Sequence, residues 1–104
     1  MSLGKTIRLY LADGAATGPI IAEIINWTGQ VMVVPRAQLA ELARRDELQR
    51  TGIYLLVGAD FATGQERVYI GEGDDVFMRL KAHDKDESKD FWTRAITVTS
   101  KDFN

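Results

Sequence analysis

The first apolar residues of the chain alternate with polar ones. In "KTIRLYLADG", Ile7, Leu9 and Leu11 alternate with Arg8 and Tyr10 before an Asp-Gly pair. Alternation with a period of two is typical of a strand that buries one face, and Asp-Gly is typical of a turn. The pattern therefore predicts a strand that ends at Asp13 and Gly14.

The next apolar stretch, residues 19–34, fits two interpretations. Its isoleucines at 20, 21, 24 and 25 have helical spacing, and Pro19 suits the first turn of a helix. The density of β-branched residues and the central "NWTGQ" favour two strands, over about 20–25 and 31–34. We prefer the hairpin.

A helix is predicted over residues 35–48. Pro35 suits its first turn, and Glu41 and Arg45 form a favourable pair four residues apart. One face of this helix carries Leu39, Leu42, Ala43 and Leu48.

The second half of the chain predicts strand, strand, helix and strand. "GIYLLVG" and "ERVYIGE" read as strands joined by a hairpin loop that contains Gly64. "DDVFMRLKAHD" reads as a helix capped by Asp74 or Asp75, and "FWTRAITVTS" as a final strand. The expected core is formed by Leu55, Val57, Ile70, Phe77, Leu80, Ile96 and Val98.

These elements predict an α+β protein with a break near residue 50. Residues 51–104 are expected to form a small antiparallel three-stranded sheet flanked by helices. Residues 1–50 are expected to form an N-terminal β-rich module that contains the helix over 35–48.

The composition limits the kinds of catalytic and metal-binding site that the chain can form. The chain has no cysteine and one histidine, which excludes disulfides, thiol nucleophiles and multi-histidine metal sites. Any metal must be held by carboxylates, which favours magnesium or manganese. The sequence lacks an apolar run of about 20 residues and a signal-peptide core, so we expect a cytoplasmic protein without a membrane partner.

The charge argues against a protein that coats nucleic acid. The formal net charge is −2. Residues 1–50 hold six Lys/Arg against five Asp/Glu, or +1, and residues 51–104 hold seven against ten, or −3. Broad electrostatic attraction to a phosphate backbone is therefore weak.

Four side chains of the second half carry candidate chemistry: Tyr54, Tyr69, Arg79 and His83. Arg79 and His83 are four residues apart and share one face of the predicted helix. Arginine offers two parallel hydrogen bonds to a phosphate, and histidine or an activated tyrosine can move a proton. Each residue type alone is most often structural or solvated, so the signal lies in the ordered combination.

That combination resembles the GIY-YIG nuclease superfamily. "GIY" stands at 52–54 and "YIG" at 69–71, followed by Arg79 and His83 on the next helix, and the resemblance covers about residues 51–104. It implies an endonuclease that cleaves nucleic-acid phosphodiesters with Mg²⁺ or Mn²⁺, with DNA favoured over RNA as the partner. The structural residues that it implies near the site are Gly52, Gly71 and Gly73.

The resemblance also implies roles for the four side chains, which should converge on one concave surface. Tyr54 would be the base for the attacking water, with its pKa brought down by Arg79 or the metal. Tyr69 would orient the water or the phosphate, and Arg79 would hold the phosphate. His83 would support the phosphate or relay a proton.

The chain departs from the family pattern at two places. Gly73 and Asp75 stand where many members have serine or threonine and then asparagine. The metal-binding glutamate of the family lies on a helix after the third strand, which would follow Asn104. We therefore expect the intact protein to use Mg²⁺ or Mn²⁺, and this chain to bind none and to cleave weakly or not at all. The acids not expected to replace that glutamate are Glu66, Glu72, Asp84, Asp86, Glu87 and Asp90.

An alternative function is a non-catalytic module, for nucleic-acid binding or protein interaction, on the same scaffold. The net charge of −3 over residues 51–104 favours this alternative. The absence of the expected helix also predicts self-association through a bare C-terminal flank near Phe91 and Trp92.

Overall fold

A computed structural model describes residues 7–11, 14, 18–24, 29–43 and 46–100. The strands are β1 (Ile7–Leu11), β2 (Ile20–Ile24), β3 (Gly29–Pro35), β4 (Gly52–Ala59), β5 (Glu66–Gly73) and β6 (Trp92–Ser100). The helices are α1 (Val76–Asp84) and short 3₁₀ helices at Arg36–Leu42, Asp46–Leu48 and Glu87–Lys89. Asp13, Ile25 and Arg45, which the sequence placed in a turn, a strand and a helical pair, lie outside the described residues.

The described strands form one six-stranded sheet in the order β1-β2-β3-β6-β4-β5, and neighbouring strands are antiparallel. The predicted small three-stranded sheet is therefore wrong, because β4, β5 and β6 are only half of it. β6 pairs with β4 on one side and with β3 on the other, as in the Val33–Ile96 pair. An unpaired edge of a nine-residue strand would expose a row of backbone donors and acceptors, and β3 satisfies them. The division of the chain near residue 50 stays a prediction, and the sheet is continuous across it.

The hairpin predicted over residues 19–34 is confirmed. β2 and β3 pair antiparallel with Ile20 opposite Val33, and the helical interpretation of this stretch is wrong. The β-branched side chains prevail over the helical spacing of the isoleucines because both strands find partners in the sheet.

The predicted helix over 35–48 is replaced by two 3₁₀ helices. Pro35 is the last residue of β3, and the first 3₁₀ helix begins at Arg36. A 3₁₀ helix has three residues per turn, so residues three apart lie on one face. Leu39 and Leu42 are both buried in this way, whereas Ala43 is exposed.

Among the described residues, the helices pack against one face of the sheet, which we call the front face. Its buried side chains form one cluster with those of α1 and the first two 3₁₀ helices. The cluster includes Met32, Val34, Tyr54, Leu56, Ala95, Val76, Phe77, Leu80, Leu39, Leu42 and Leu48.

The opposite, rear face is also apolar. It carries Leu9, Leu11, Val31, Val33, Ile53, Leu55, Val57, Val68, Ile70, Ile96 and Val98, which are cross-strand partners of one another or alternate along their strands. Ile70 is 68% exposed and Ile53 44% exposed. The predicted core is correct for Val57, Phe77 and Leu80, which are buried, but wrong for Ile70. The remaining predicted residues, Leu55, Ile96 and Val98, are half-buried.

Helix α1 confirms the predicted helix and its cap. The carboxylate of Asp75 accepts a hydrogen bond from the Met78 amide at 3.1 Å. Val76, Phe77 and Leu80 face the core. Phe91 and Trp92 are 3% and 1% exposed, so the side chains near which self-association was expected lie in the core. Among the described residues, no helix is long and apolar enough to cross a membrane.

Candidate functional site

The two tyrosines lie on adjacent antiparallel strands and on the same face, as predicted. Tyr54 of β4 is opposite Gly71, and Tyr69 of β5 is opposite Leu56. Tyr54 and Leu56 are two residues apart, so all four positions belong to the front face. The ring centroids of Tyr54 and Tyr69 are 6.5 Å apart.

Gly71 makes room for the ring of Tyr54. A Cβ atom at position 71 would lie closer than 3.0 Å to the Cζ and hydroxyl oxygen of Tyr54. The phenol therefore crosses β5 at the one position in the "YIG" tripeptide without a side chain. Close approach also explains the other two glycines: Gly52 lies against the Val98 carbonyl, and Gly73 lies against the side chain of Arg79.

Helix α1 brings His83 to the two phenols. The hydroxyl oxygen of Tyr54 and Nε2 of His83 are 2.7 Å apart, a hydrogen bond whose direction depends on the imidazole tautomer. The rings of Tyr69 and His83 meet edge to face with centroids 5.1 Å apart. Tyr54, Tyr69 and His83 therefore form one contiguous cluster.

Arg79 lies one helical turn before His83 and is exposed. It lines a cleft of about 490 Å³ where β4 begins and β5 ends. The other residues that line this cleft are Thr51, Gly52, Ile53, Glu72, Gly73 and Asp74. The cleft adjoins the tyrosine–histidine cluster through Arg79, whose charge acts on both Tyr54 and His83.

The environment of Tyr54 keeps its hydroxyl protonated. Burial raises the pKa of Tyr54, and the neighbouring Tyr69 adds to this effect, while the Arg79 charge opposes it. Arg79 by itself therefore does not bring this pKa down, because desolvation outweighs the arginine, and the lowering expected from a metal stays a prediction. Tyr54 is 2% exposed, so it forms the floor of the site.

The environment of His83 keeps its imidazole neutral. Burial lowers the pKa of His83 from its usual 6.5, the positive charges of Lys89 and Arg79 lower it further, and Asp86 opposes them. The neutral form accepts protons and prevails above the pKa of the folded protein. It therefore persists at a lower pH than the neutral form of an unperturbed histidine.

Lys89 is a residue of the site that the sequence did not single out. Its Nζ lies 4.8 Å from the ring centroid of Tyr69 and 3.3 Å from a carboxylate oxygen of Asp86. The sequence "DKDESKD", residues 84–90, mixes acidic and basic side chains and is expected to be a solvated polar connector. The Asp86–Ser88 pair signals a short capped turn, but no local pattern shows that this turn points a lysine at Tyr69.

The described residues do not supply a complete metal site. Glu72 and Asp74 line the cleft beside Arg79, whereas Asp84 pairs with Arg36 at 2.7 Å and Asp86 pairs with Lys89. In the part of the chain that the structure describes, no three acidic, histidine or cysteine side chains are grouped as metal ligands. The use of Mg²⁺ or Mn²⁺ stays a prediction that rests on the resemblance.

Comparison with known proteins identifies no relative of this chain. No protein-family model matches the chain, and no curated protein or solved structure matches it. The similarity to GIY-YIG nucleases therefore rests on the tripeptides, Arg79 and His83.

Proposed function

We propose that this chain carries the catalytic residues of a GIY-YIG-type endonuclease that cleaves nucleic-acid phosphodiesters. The observation that carries the proposal is the 2.7 Å contact between the Tyr54 hydroxyl and His83 Nε2. The ring of Tyr69 packs against both groups, and Arg79 lies one helical turn away. A proton acceptor, its orienting partner and a phosphate-binding cation thus lie together, which is the set that hydrolysis of a phosphodiester needs.

His83 is the proton acceptor in this proposal. It is neutral and half-buried, whereas Tyr54 is almost fully buried and its pKa is raised. In this proposal Nε2–H of His83 donates to the Tyr54 hydroxyl oxygen, which orients the imidazole ring and leaves Nδ1 as the nitrogen that accepts the proton. Tyr54 is therefore a positioning residue rather than the base that the resemblance implies.

The reaction transfers one proton and exchanges one phosphorus–oxygen bond. His83 removes a proton from a water molecule as the water oxygen bonds to phosphorus. The bond between phosphorus and the leaving sugar oxygen breaks, and that oxygen then takes up a proton from His83 or from solvent. Arg79 donates hydrogen bonds to the phosphate oxygens and stabilises the negative charge that develops on them. Tyr69, which is 38% exposed, lines the approach to His83 and orients the phosphate.

A non-catalytic nucleic-acid-binding or interaction module is the second candidate. The net charge of −3 over residues 51–104 favours it, because this charge weakens attraction to a phosphate backbone. Wild-type protein that binds DNA but does not cleave it with Mg²⁺, with Mn²⁺ or with EDTA would support this candidate.

The first test is Arg79→Ala. We expect the rate of plasmid or oligonucleotide cleavage to fall by about a hundred- to a thousand-fold, because a cation that stabilises the transition state is lost. Arg94→Ala is the matched control: Arg94 is exposed and lies on the rear face opposite Val57, so cleavage should not change. Normal cleavage by a folded Arg79→Ala protein would contradict the phosphate-binding role.

A further inference from the structure

A second cation, Lys89, is held beside the site against the ring of Tyr69. Lys89 ends the 3₁₀ helix Glu87–Lys89, and its side chain is only 22% exposed. Its Nζ is placed by two groups, the face of Tyr69 at 4.8 Å and the Asp86 carboxylate at 3.3 Å.

The partner of Lys89 is itself fixed. Asp86 caps the 3₁₀ helix and accepts hydrogen bonds from the Ser88 amide at 3.0 Å and the Ser88 hydroxyl at 2.7 Å. The guanidinium of Arg36 also donates to the Lys89 carbonyl at 3.4 Å. Both the backbone and the side chain of Lys89 are therefore anchored, so little conformational entropy remains to be lost when the ammonium group binds a ligand.

Two positive charges act on His83, opposed by the carboxylate of Asp86. Arg79 and Lys89 both lower the pKa of His83, so the imidazole lies within the field of two positive charges. The Lys89–Asp86 ion pair is partly exposed, so solvent screens it and it contributes little to stability. A stabilising role therefore does not account for a lysine held against Tyr69 at the edge of the site.

We propose that Lys89 and Tyr69 form a second phosphate subsite, which binds the phosphate next to the scissile one in the same nucleic-acid strand. Arg79 and Lys89 then contact successive phosphates of that strand. The inference rests on the proposed function, since it assigns a further part of the same substrate to this surface. The ammonium group of Lys89 is a compact positive charge with several N–H donors, which suits the binding of a phosphate.

The test measures the salt dependence of DNA binding rather than cleavage. A fluorescein-labelled single-stranded oligonucleotide is titrated with wild-type protein, Lys89→Met and Lys85→Met at several salt concentrations, and anisotropy is recorded. Each phosphate contact contributes about −0.7 to the slope of log K against log salt for a single strand. Lys89→Met should reduce the slope by about this amount and weaken binding at low salt by about tenfold.

Lys85→Met is the matched control because it removes the same charge from an exposed residue at the end of α1. Its slope should equal that of the wild type. An unchanged slope in Lys89→Met, or an equal reduction in both variants, would overturn the second subsite. If wild-type protein binds DNA and cleaves it but Lys89→Met does both normally, only the subsite fails. If wild-type protein neither binds nor cleaves, the proposed function fails with it.

A second readout uses the single histidine of the chain, whose imidazole protons can be followed by NMR without assignment. The charged and titratable groups that act on His83 or contact it are Tyr54, Tyr69, Arg79, Asp86 and Lys89. Inorganic phosphate should shift the imidazole signals and raise the pKa of His83 in the wild type. In Lys89→Met, about tenfold more phosphate should be needed for the same shift. Identical titrations of the two proteins would contradict a phosphate contact at Lys89.

Discussion

Replacement of His83 by glutamine should lower the rate of phosphodiester cleavage by about a hundred- to ten-thousand-fold. This range is typical of the loss of a general acid–base group. Glutamine can keep a hydrogen bond to the Tyr54 hydroxyl, which now lies 2.7 Å from Nε2, but it cannot accept the proton of the attacking water. Single-turnover cleavage of a labelled oligonucleotide measures this effect, and circular dichroism checks that the variant is folded.

The substitution Tyr54→Phe separates the role of Tyr54 from that of His83. Because Tyr54 orients His83 and is 2% exposed, its loss should reduce cleavage less than His83→Gln does. The double variant should be no slower than His83→Gln, since groups that act as a unit are not additive. Tyr10→Phe, which removes an exposed hydroxyl from β1, is the matched control and should cleave normally. A loss in Tyr54→Phe as large as that in His83→Gln would show that Tyr54 accepts the proton directly.

The pH profile follows from the lowered pKa of His83. Cleavage needs the neutral imidazole, so it should be lost as the pH falls through the pKa of the folded protein, which lies below 6.5. Removing the positive charge of Lys89 should raise this pKa and move the acidic limb of the profile to higher pH.

The largest effect on stability is expected for Gly58→Ala. Gly58 lies at the irregular register between β4 and β6, and a Cβ atom there would lie closer than 3.0 Å to the backbone of Phe91 and Trp92. Overpacking typically costs about 1–3 kcal/mol. We expect the upper end, about 3 kcal/mol, because backbone atoms cannot move without breaking the pairing of the two central strands. Urea unfolding of the two proteins measures the change in free energy.

Gly64→Ala is the control for this substitution. Gly64 has a φ of 71° and open space around its Cα, so alanine there meets backbone strain but no clash. The left-handed conformation costs a residue with a side chain about 1–2 kcal/mol. A smaller loss in Gly58→Ala than in Gly64→Ala would show that β4 and β6 can separate at this point at little cost.

Local patterns were sufficient to predict most elements of the fold. The Asp75 cap, the spacing of Val76, Phe77 and Leu80, and the β-branched strands depend on neighbouring residues alone. The buried face of the sheet could not be predicted in the same way. Leu55, Leu56 and Val57 are all apolar, so the alternation that would mark one face is absent from β4.

The pairing of β3 with β6 also could not be predicted from the sequence. These strands are separated by more than fifty residues, and nothing in either strand specifies the other as its partner. The predicted break near residue 50 reflects local composition, whereas the sheet is assembled by contacts between distant segments.

The candidate site was predicted in part. The tripeptides, together with the helical spacing of Arg79 and His83, identified the residues that line it. The direction of the Tyr54 pKa depends on how deeply β4 is buried, and the position of Lys89 depends on how the chain turns after α1. Both are properties of the assembled structure.

The apolar rear face has a thermodynamic consequence. Ile53, Val68 and Ile70 are 44%, 49% and 68% exposed, so water contacts much of this surface in the folded chain. Unfolding then exposes less new apolar surface than it would in a domain whose sheet is covered on both sides. Exposure of apolar surface raises the heat capacity. The heat-capacity change on unfolding should therefore lie below the usual value of about 12–15 cal/mol/K per residue. The curve of stability against temperature is accordingly flatter, and loss of stability on cooling is weaker.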